Sequence, residues 1–440
     1  MLRPVFYAPV LLTAALVPAI GAGCSADGES SGFTGGDGPA SSSATVGGGG
    51  GIGGAGQQSS AAGIEVDGGL GGSGGFVTCD PKGPDDDVDQ DGYTPNQGDC
   101  HDCDKNVNPN AIEVPTEEGK DVYDEDCDGE EDEVDEVLCD SGLVIDEMDA
   151  LVALQALELC KVSSGPADWG LVSAKWTLAD GSPPPSFALA NFHLGHGILP
   201  KFGANVKVRK GEQMLALSSG TARQPDDPGY QDVGGFPKGF TSPPPQGFPK
   251  ESAACPGVTT GQPNDAAAIE LEMRTPSNAQ GFSFDFDFFT YEWPNFVCSG
   301  YNDFFVALLM PFPPNQVDGN ISFDSAGNPI SVNNALLEVC GCAGNPPNAC
   351  SAGGKQFNCS LGNTDLIGTG FGFDTAQDEQ DHGSTAWLRS KAPVEPASDI
   401  TIRFAVYDSG DGVLDTTTLI DNFKWIGVPG VTVGTDPVPD

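Results

Sequence analysis

Apolar and polar residues alternate strictly in several segments of the later part of the chain. Phe occupies every second position from Phe282 to Phe288, and residues 172–178 and 400–406 show the same alternation. A period of two places one face of a β-strand against a core and the opposite face in water. Because loops rich in Gly and Pro separate these strands, the pattern predicts a mainly β protein with a β-sandwich or jelly roll.

Two segments of this region depart from the strand pattern. Residues 146–160 are rich in helix-forming residues and predict a helix, with Asp146 as a candidate N-cap. Residues 224–249 are rich in Pro and Gly and predict an irregular loop. We therefore expect one β-rich domain over residues 141–430, followed by a short polar tail at 431–440.

Residues 1–23 predict an export signal. Arg3 precedes an apolar run from Val5 to Ile20, which contains two prolines and is short for a membrane span of about 20 residues. Small residues then precede Cys24, and this ending is similar to that of bacterial lipoprotein signals. The resemblance implies that Cys24 carries lipid and anchors the protein in the bacterial cell envelope, with the outer membrane as the expected partner. Cleavage without lipidation, followed by release, is the alternative.

The composition of the segment after this signal, and that of the whole chain, adds further expectations. Residues 24–78 are dominated by Gly, Ser and Ala, which cannot bury enough apolar surface to fold, so we expect a disordered tether. The 440 residues include 63 acidic and 19 basic ones, and the formal net charge of −44 would repel a phosphate backbone, so we expect no nucleic-acid partner. The 13 cysteines indicate an oxidising compartment, and lipidation of Cys24 leaves an even number that can pair completely.

Residues 79–140 form a strongly acidic module with the spacing of a metal loop. The sequence Asp-x-Asp-x-Asp-Gly occurs at Asp87–Gly92 and again at Asp124–Gly129. Carboxylates at alternate positions converge on a hard cation when the following glycine permits a sharp turn, as in the first half of an EF-hand loop. Position twelve of the second loop is Asp135, which can close the ligand shell, whereas position twelve of the first is Gly98.

The acidic module is too small and too poor in aromatic residues to fold on apolar burial alone. A bound metal and disulfides would have to hold it together, so the expected role of the metal is structural. An acidic linker that stays solvated is the alternative interpretation of the same residues.

Two further blocks, Gly98–Asp102 and Asn108–Glu113, lie between the Asp-rich repeats. With them, residues 87–133 resemble the metal-binding motif of the MopE type, found in secreted bacterial proteins. The resemblance implies a disulfide between Cys100 and Cys127. The ligands that it implies are Asp87, Asp89, Asp91, Asp99, Asp102, Glu113, Asp124, Asp126 and Asp128. The family name refers to copper, but copper prefers imidazole and sulfur, whereas an all-oxygen set suits Ca²⁺, so we expect Ca²⁺ with a weak affinity of about 10⁻⁴–10⁻³ M.

Three blocks of the β-rich domain, at Leu215–Ser218, Phe282–Phe304 and Ile402–Phe423, are characteristic in order and spacing. Through them residues 141–428 resemble the choice-of-anchor L domain, a bacterial surface module that is attached by differing anchors. The resemblance implies a surface location and no established activity.

Oxygen-bearing side chains lie at several predicted strand ends and turns of this domain. They could gather around a second Ca²⁺ once the sandwich closes. They are equally explained by turn chemistry, because Asp and Asn stabilise tight turns by bonding their own backbone. The residues are Glu292, Asn302, Asp303, Asp408, Asp411 and Asp415.

The sequence contains no complete zinc-hydrolase motif and no phosphate-binding loop. His193 and His196 are close in sequence, but Leu194 stands where the common helical zinc motif needs Glu, so a surface loop is preferred. We therefore predict an exported, lipid-anchored surface protein with calcium-binding loops and a non-catalytic role in adhesion or in binding a glycan or protein. A secreted hydrolase that acts on polysaccharide through sandwich carboxylates is the alternative, because carboxylate separation is a three-dimensional quantity.

Overall fold

The structure is a computed structural model that describes residues 83–115, 123–132, 138–333, 336–341, 350–372 and 382–438. The predicted export signal and tether, with Cys24 and Asp135, lie outside the described residues. Within them the chain is mainly β, as the alternation predicted, and its strand ladders are antiparallel.

Helical structure in the described residues is short. The α-helices are α1 (Ala150–Ala153) and α2 (Leu189–Phe192), and 3₁₀ turns lie at Pro95–Gln97, Leu154–Leu157, His193–Gly195 and Thr364–Leu366. The strands are β1 (Gly170–Thr177), β2 (His196–Leu199), β3 (Lys201–Phe202), β4 (Val206–Lys207), β5 (Met214–Ser218), β6 (Pro263–Arg274), β7 (Gly281–Thr290), β8 (Phe304–Met310), β9 (Ile330–Ser331), β10 (Val339–Cys340), β11 (Cys350–Ala352), β12 (Lys355–Phe357), β13 (Gly383–Ser384), β14 (Leu388–Pro393), β15 (Asp399–Ser409), β16 (Thr416–Ile426) and β17 (Gly434–Pro437).

Two sheets pack face to face. The first has the strand order β1-β6-β15-β8-β9, and the second has the order β10-β13-β7-β16-β5-β2. Strand β14 joins the second sheet by pairing with β7 and with β17, which takes up part of the predicted polar tail. The sheets share an aromatic core, in which the ring centroids of Phe284 (β7) and Phe404 (β15) are 4.8 Å apart. The mainly β class expected from the sequence is thus confirmed.

Strand β7 is buried on both faces, whereas the alternation predicted one face in water. Its alternating phenylalanines pack in the core between the sheets, but Asp285 between them is also 0% exposed. Arg389 of β14 donates two hydrogen bonds to the Asp285 carboxylate, at 2.6 and 2.9 Å. Because a guanidinium in this geometry compensates the charge, the strand can bury an acid on its second face.

A β-bulge changes which residues of β1 face the core. The pairing of β1 with β6 shifts between Leu171 and Ser173. Leu171 is therefore part of the core, and Val172 is 52% exposed. The expectation that Val172 faces inward was wrong, because an inserted residue reverses the alternation at that point.

The helix predicted at residues 146–160 is shorter and begins later. Asp149 caps α1, since its side chain accepts a hydrogen bond from the Leu151 amide at 3.0 Å. Asp146 was the wrong choice of cap: it lies 3.0 Å from His193 Nδ1 and accepts a hydrogen bond from Arg223 at 3.2 Å. These tertiary partners compete for a carboxylate that would otherwise suit a helix start.

The acidic module packs against the β-rich domain, and both lie in one compact unit. The side chain of Asn278 accepts a hydrogen bond from the Ile112 amide at 2.9 Å and donates one to the Ile112 carbonyl at 2.8 Å. The Ser277 hydroxyl donates to Asn108 Oδ1 at 2.8 Å. The segment between the two Asp-rich loops therefore fixes the module on the domain.

Candidate functional site

The first Asp-rich loop, residues 87–93, is organised by hydrogen bonds to its own backbone. Asp87 accepts hydrogen bonds from two amides further along the loop, at 2.7 and 3.1 Å. Asp89 and Asp91 each accept one from the amide two residues later, at 3.1 and 2.8 Å. Gly92 adopts a left-handed backbone (φ +100°) that turns the chain back. As a result, carboxylate oxygens of the three aspartates lie within 4.8 Å of one another.

Two aspartates from the following turn join this loop. Asp102 accepts a hydrogen bond from the Val88 amide at 2.8 Å, and oxygens of Asp89, Asp99 and Asp102 lie within 4.8 Å of one another. Asp99 is only 5% exposed. The Oδ2 atoms of Asp89, Asp91 and Asp99 are buried and accept no hydrogen bond from any described residue. Converging carboxylate oxygens of this kind suit a hard cation.

The charges of this cluster also favour a cation. Burial raises the pKa of the Asp89, Asp91 and Asp99 carboxyls, and the negative charge of neighbouring aspartates raises it further. The pKa of Asp91 rises to about 6. Several carboxylates held this close repel one another, and a divalent ion between them would remove that cost.

The second Asp-rich loop, residues 124–130, repeats the geometry of the first. Asp124 accepts hydrogen bonds from the amides four and five residues later, at 3.1 and 3.0 Å. Asp126 and Asp128 each accept one from the amide two residues later, at 3.1 and 2.8 Å. Gly129 has almost the same left-handed angle as the glycine of the first loop (φ +99° against +100°). The same spacing thus gives the same turn in two separate segments.

Glu113 closes the second loop. Its carboxylate accepts hydrogen bonds from the amides of Glu125 (2.8 Å), Asp126 (3.2 Å) and Asp132 (3.0 Å). Oxygens of Glu113, Asp124 and Asp126 lie within 4.8 Å of one another, and so do those of Glu113, Glu125 and Asp132. The second loop therefore also presents a group of carboxylates that could hold an ion.

Sequence reasoning missed Glu125 and Asp132 as candidate ligands. Glu125 occupies an intervening position of the Asp-x-Asp-x-Asp-Gly spacing, and Asp132 follows it, so the spacing itself does not select them. The structure places Asp128 in the turn, but not in either group of three carboxylates found among the described residues of this loop. Asp135 lies outside the described residues.

Covalent and polar links join the two loops. Cys100 is bonded to Cys127 of the second loop (S–S 2.11 Å), which is the pairing that the resemblance implied. The Asn108 amide donates to the Glu125 carbonyl at 2.9 Å. Because Asn108 also contacts the β-rich domain, it connects the second loop to that domain.

A second acidic group lies at one end of the sandwich. Glu292 follows β7, Asp303 precedes β8, Asp408 is near the end of β15, and Asp415 precedes β16. Antiparallel pairing of β7 with β16 and of β8 with β15 brings these strand ends together. We define the strand-end cage as the buried residues Lys238, Asp265, Glu292, Asp303, Asp408 and Asp415.

The cage contains four of the six residues predicted for a second calcium site. Asn302 is buried, and its side-chain oxygen accepts a hydrogen bond from the Asn333 amide at 3.1 Å. Asp411 is exposed. Lys238 and Asp265 were missed, because Lys238 lies in the long loop whose path no periodicity specifies. No three carboxylates of the cage lie within 4.8 Å of one another in the described structure, unlike those of the Asp-rich loops.

Burial dominates the electrostatics of the cage. It raises the pKa of Glu292, Asp303, Asp408 and Asp415 well above the usual range, and repulsion between neighbouring carboxylates adds to the effect. Burial lowers the pKa of Lys238 to about 8. One ammonium group cannot compensate this many carboxylates, so the cage requires protons or a further cation to stay buried.

The two histidines of the candidate pair, His193 and His196, have different surroundings. His196 is buried rather than in the expected surface loop, and it stacks on Trp176 with ring centroids 3.8 Å apart. Burial lowers its pKa to about 3. His193 instead pairs with Asp146 through Nδ1.

The hydrolase alternative is not favoured by the position of the acids. The predicted sandwich carboxylates that meet in the structure lie in the cage, where each side chain is buried. A polysaccharide could reach them only if the end of the sandwich opened. Their geometry therefore gives no accessible acid–base pair for glycoside hydrolysis.

The fold and its acidic sites define a class: a mainly β, disulfide-containing domain that carries acid-rich loops. Residues 215–423 match the family model of the choice-of-anchor L domain. This segment runs from β5 to β16 and contains every residue of the strand-end cage. The match indicates an exported or cell-surface protein and a family that is not known for enzymes.

The comparisons do not reach the rest of the chain. Residues 87–133 lie outside the match, so their resemblance to the MopE-type motif stays a prediction. No curated protein and no solved structure matches the chain. The helices of the described residues are too short to cross a membrane.

Proposed function

We propose that the protein is an exported, lipid-anchored cell-surface protein whose Asp-rich loops bind Ca²⁺. Its β-rich domain serves, without catalysis, in adhesion or in binding a glycan or another protein. The buried, unpartnered Oδ2 atoms of Asp89, Asp91 and Asp99 carry the calcium part of this proposal. The choice-of-anchor L match supports the surface location.

In Asp89 and Asp99, the two oxygens of the carboxylate have different roles. Asp89 Oδ1 accepts a hydrogen bond from the Asp91 amide, and Asp99 Oδ1 accepts one from the His101 amide. The Oδ2 atoms of both aspartates are therefore available to an ion. Asp102 completes this first group, and Glu113 with its neighbours forms the second. An all-oxygen shell of this kind is what Ca²⁺ prefers.

The ion would act on stability. Among the described residues of the acidic module, only Val107 and Ala111 are buried apolar side chains. Such a small apolar core cannot offset the entropy of ordering the chain. Ca²⁺ binding would supply the missing free energy, so the module would fold as the metal binds.

Calorimetric titration of Ca²⁺ into the mature chain with Cys24→Ser tests the calcium part. We expect two or more ions, and the double variant Asp89→Asn with Asp99→Asn should lose at least one. Asp86→Asn is a matched control, since Asp86 is an exposed acid of the same segment outside the carboxylate groups. No binding heat, together with the same melting temperature in Ca²⁺ and in chelator, would refute the proposal.

The lipid anchor needs a separate experiment. Mass spectrometry of the mature N-terminus should find a diacylglyceryl group on Cys24, and Cys24→Ser should move the protein from the membrane fraction to the medium or periplasm. A mature chain with an unmodified N-terminus would contradict the anchor and leave the calcium proposal untouched.

A further inference from the structure

The strand-end cage holds carboxylates whose oxygens lack partners. Asp408 is 2% exposed and Asp415 is 0% exposed, and no oxygen of either makes a hydrogen bond of good geometry with a described residue. The Ser219 hydroxyl and the Asp303 carboxyl are polar groups that lie near Asp408. Oδ1 of Asp303 and Oε2 of Glu292 are also buried without a hydrogen-bond partner. Buried polar atoms in such numbers require an explanation.

Turn chemistry does not explain these unpartnered carboxylate oxygens. An aspartate that stabilises a turn accepts a hydrogen bond from a nearby amide, as Asp89 does from Asp91 at 3.1 Å. Asp408 and Asp415 make no such bond. The Asp415 carboxylate instead approaches the backbone of Gly220, where a Cβ atom would collide with it. The fold thus directs this acid into the cage.

The cage is also short of positive charge. Lys238 is its one basic residue, and its ammonium donates a hydrogen bond to the Ser218 carbonyl at 2.7 Å. The unpartnered oxygens come from both sheets, because Asp303 precedes β8 and Asp408 lies in β15 of the first sheet, whereas Asp415 precedes β16 of the second. A cation among them would compensate the charge and link the two sheets at this end.

We propose that the strand-end cage binds a divalent cation of the oxygen-preferring class, with Ca²⁺ as the expected ion and Asp303, Asp408, Asp415 and Glu292 as its ligands. No three of these carboxylates lie within 4.8 Å of one another. Binding therefore requires the side chains to close on the ion or water to complete its shell. The site does not depend on the Asp-rich loops.

The test uses the mature chain with Cys24→Ser and loops that cannot bind calcium. The loop-deficient background carries Asp89→Asn, Asp99→Asn, Asp124→Asn and Asp126→Asn. Equilibrium dialysis with radioactive Ca²⁺ should find one ion per chain in this background. Adding Asp408→Asn or Asp415→Asn should abolish it. Adding Asp411→Asn should not, since Asp411 is an exposed acid between them in sequence.

The outcomes separate the two proposals. If the loop-deficient chain binds no Ca²⁺ while the parent chain does, the cage proposal is wrong and the loop proposal stands. If the parent chain binds none, both are wrong. If Asp408→Asn and Asp415→Asn each retain the ion, the cage is not its site.

Melting temperatures distinguish an ion from protons. If the cage of the loop-deficient chain holds an ion, Asp408→Asn lowers the melting temperature of that chain in Ca²⁺ and removes its difference between Ca²⁺ and chelator. With protons alone, Asp408→Asn leaves the melting temperature unchanged or raises it in both conditions, which overturns the proposal.

Tb³⁺ luminescence covers the case in which these variants do not fold. Trp293 is buried and follows Glu292 directly, so it should sensitise Tb³⁺ in an unaltered cage. We expect emission in the loop-deficient chain that Ca²⁺ competes away and that Trp293→Phe strongly reduces. Lack of emission from the unaltered cage overturns the proposal.

Discussion

The Asp-rich loops and the strand-end cage place the same side chain by different means. In the loops, Asp89 and Asp126 each accept a hydrogen bond from the amide two residues later, at 3.1 Å, so the local sequence orients the carboxylates. In the cage, Asp408 lies in a strand of the first sheet, Asp415 directly precedes a strand of the second, and neither makes such a bond. The loops therefore depend on short-range spacing, whereas the cage exists only when the sandwich has closed.

This difference has an energetic consequence. The cage lies at one end of a sandwich with a large apolar core, so the folding of the whole domain can hold its carboxylates in place. The described acidic module has few buried apolar side chains and must rely on links between its parts. Removing one such link should therefore affect the loops strongly and the cage little.

Among the links of the acidic module, loss of the Cys100–Cys127 disulfide should have the largest effect on its stability. Cys100→Ser with Cys127→Ser removes a cross-link between residues 27 positions apart. The free energy of unfolding of the acidic module should fall by about 2–4 kcal/mol, because the unfolded chain gains entropy. Calcium affinity of the loops should fall with it. Hydrogen exchange of residues 87–132 in Ca²⁺ and calorimetry measure both effects.

A second disulfide provides the matched control. Cys255→Ser with Cys298→Ser opens a cross-link in the β-rich domain, with a sequence separation of 43. It should destabilise the domain but leave the calcium affinity of the loops unchanged. Equal calcium affinities in the parent chain and the Cys100→Ser, Cys127→Ser variant would show that the loops do not depend on their cross-link.

The docking contact should have a smaller effect. Asn278→Ala removes both hydrogen bonds to Ile112, at 2.9 and 2.8 Å, and leaves half-buried backbone groups without partners. A cost of about 1–3 kcal/mol is expected for such a loss. The Ile112 amide should exchange its hydrogen faster, while the core amides of the sandwich stay protected.

Asn205→Ala is the control for this experiment. Asn205 also donates a side-chain hydrogen bond to a backbone carbonyl, that of Thr364, but it lies in another loop and is exposed. If Asn205→Ala and Asn278→Ala change the exchange of Ile112 equally, the docking interpretation is wrong.

Local patterns in the sequence predicted the local parts of the structure. The run Phe282–Phe288 lies within β7, and the Asp-x-Asp-x-Asp-Gly spacing gave both turns. What the alternation could not predict was the burial of Asp285, because Arg389 lies more than a hundred residues further along the chain. Periodicity reports which side of a strand a residue faces, and it does not report what covers that side.

The same limit explains the outcome for the candidate sites. Glu292, Asp303, Asp408 and Asp415 were found because they border predicted strands, whose antiparallel pairing determines which ends meet. Lys238 was not found, because it lies in the loop 224–249, which has no regular pattern. Whether these acids hold an ion was undecided, since motif and turn chemistry use the same residues.

Glu158 represents a third way to bury an acid besides the loops and the cage, because its carboxyl group stays protonated in the folded chain. It follows the 3₁₀ turn Leu154–Leu157. Both carboxyl oxygens are buried without a hydrogen bond of good geometry, and the Asn422 amide lies nearby. Burial raises the pKa of Glu158 to about 9, and the charges of Asp421 and Asp140 raise it further, while Lys210 opposes them. The folded state therefore holds a proton that the unfolded chain releases at a much lower pH.

The sign of the resulting pH dependence follows from linkage. Between the ordinary pKa of 4.5 and about 9 the folded chain binds the extra proton, so the free energy of unfolding decreases as pH rises. The slope due to this residue is at most about 1.4 kcal/mol per pH unit, and water near the partly exposed side chain reduces it.

Glu158→Gln should remove the slope, and the stability of this variant relative to the parent chain should increase from pH 5 to pH 8 (about three units). Glu212→Gln removes the same charge from an exposed side chain and should leave the slope unchanged. Parallel stability curves for the parent chain and Glu158→Gln, measured by urea unfolding at each pH, would mean that Glu158 is ionised in the folded state.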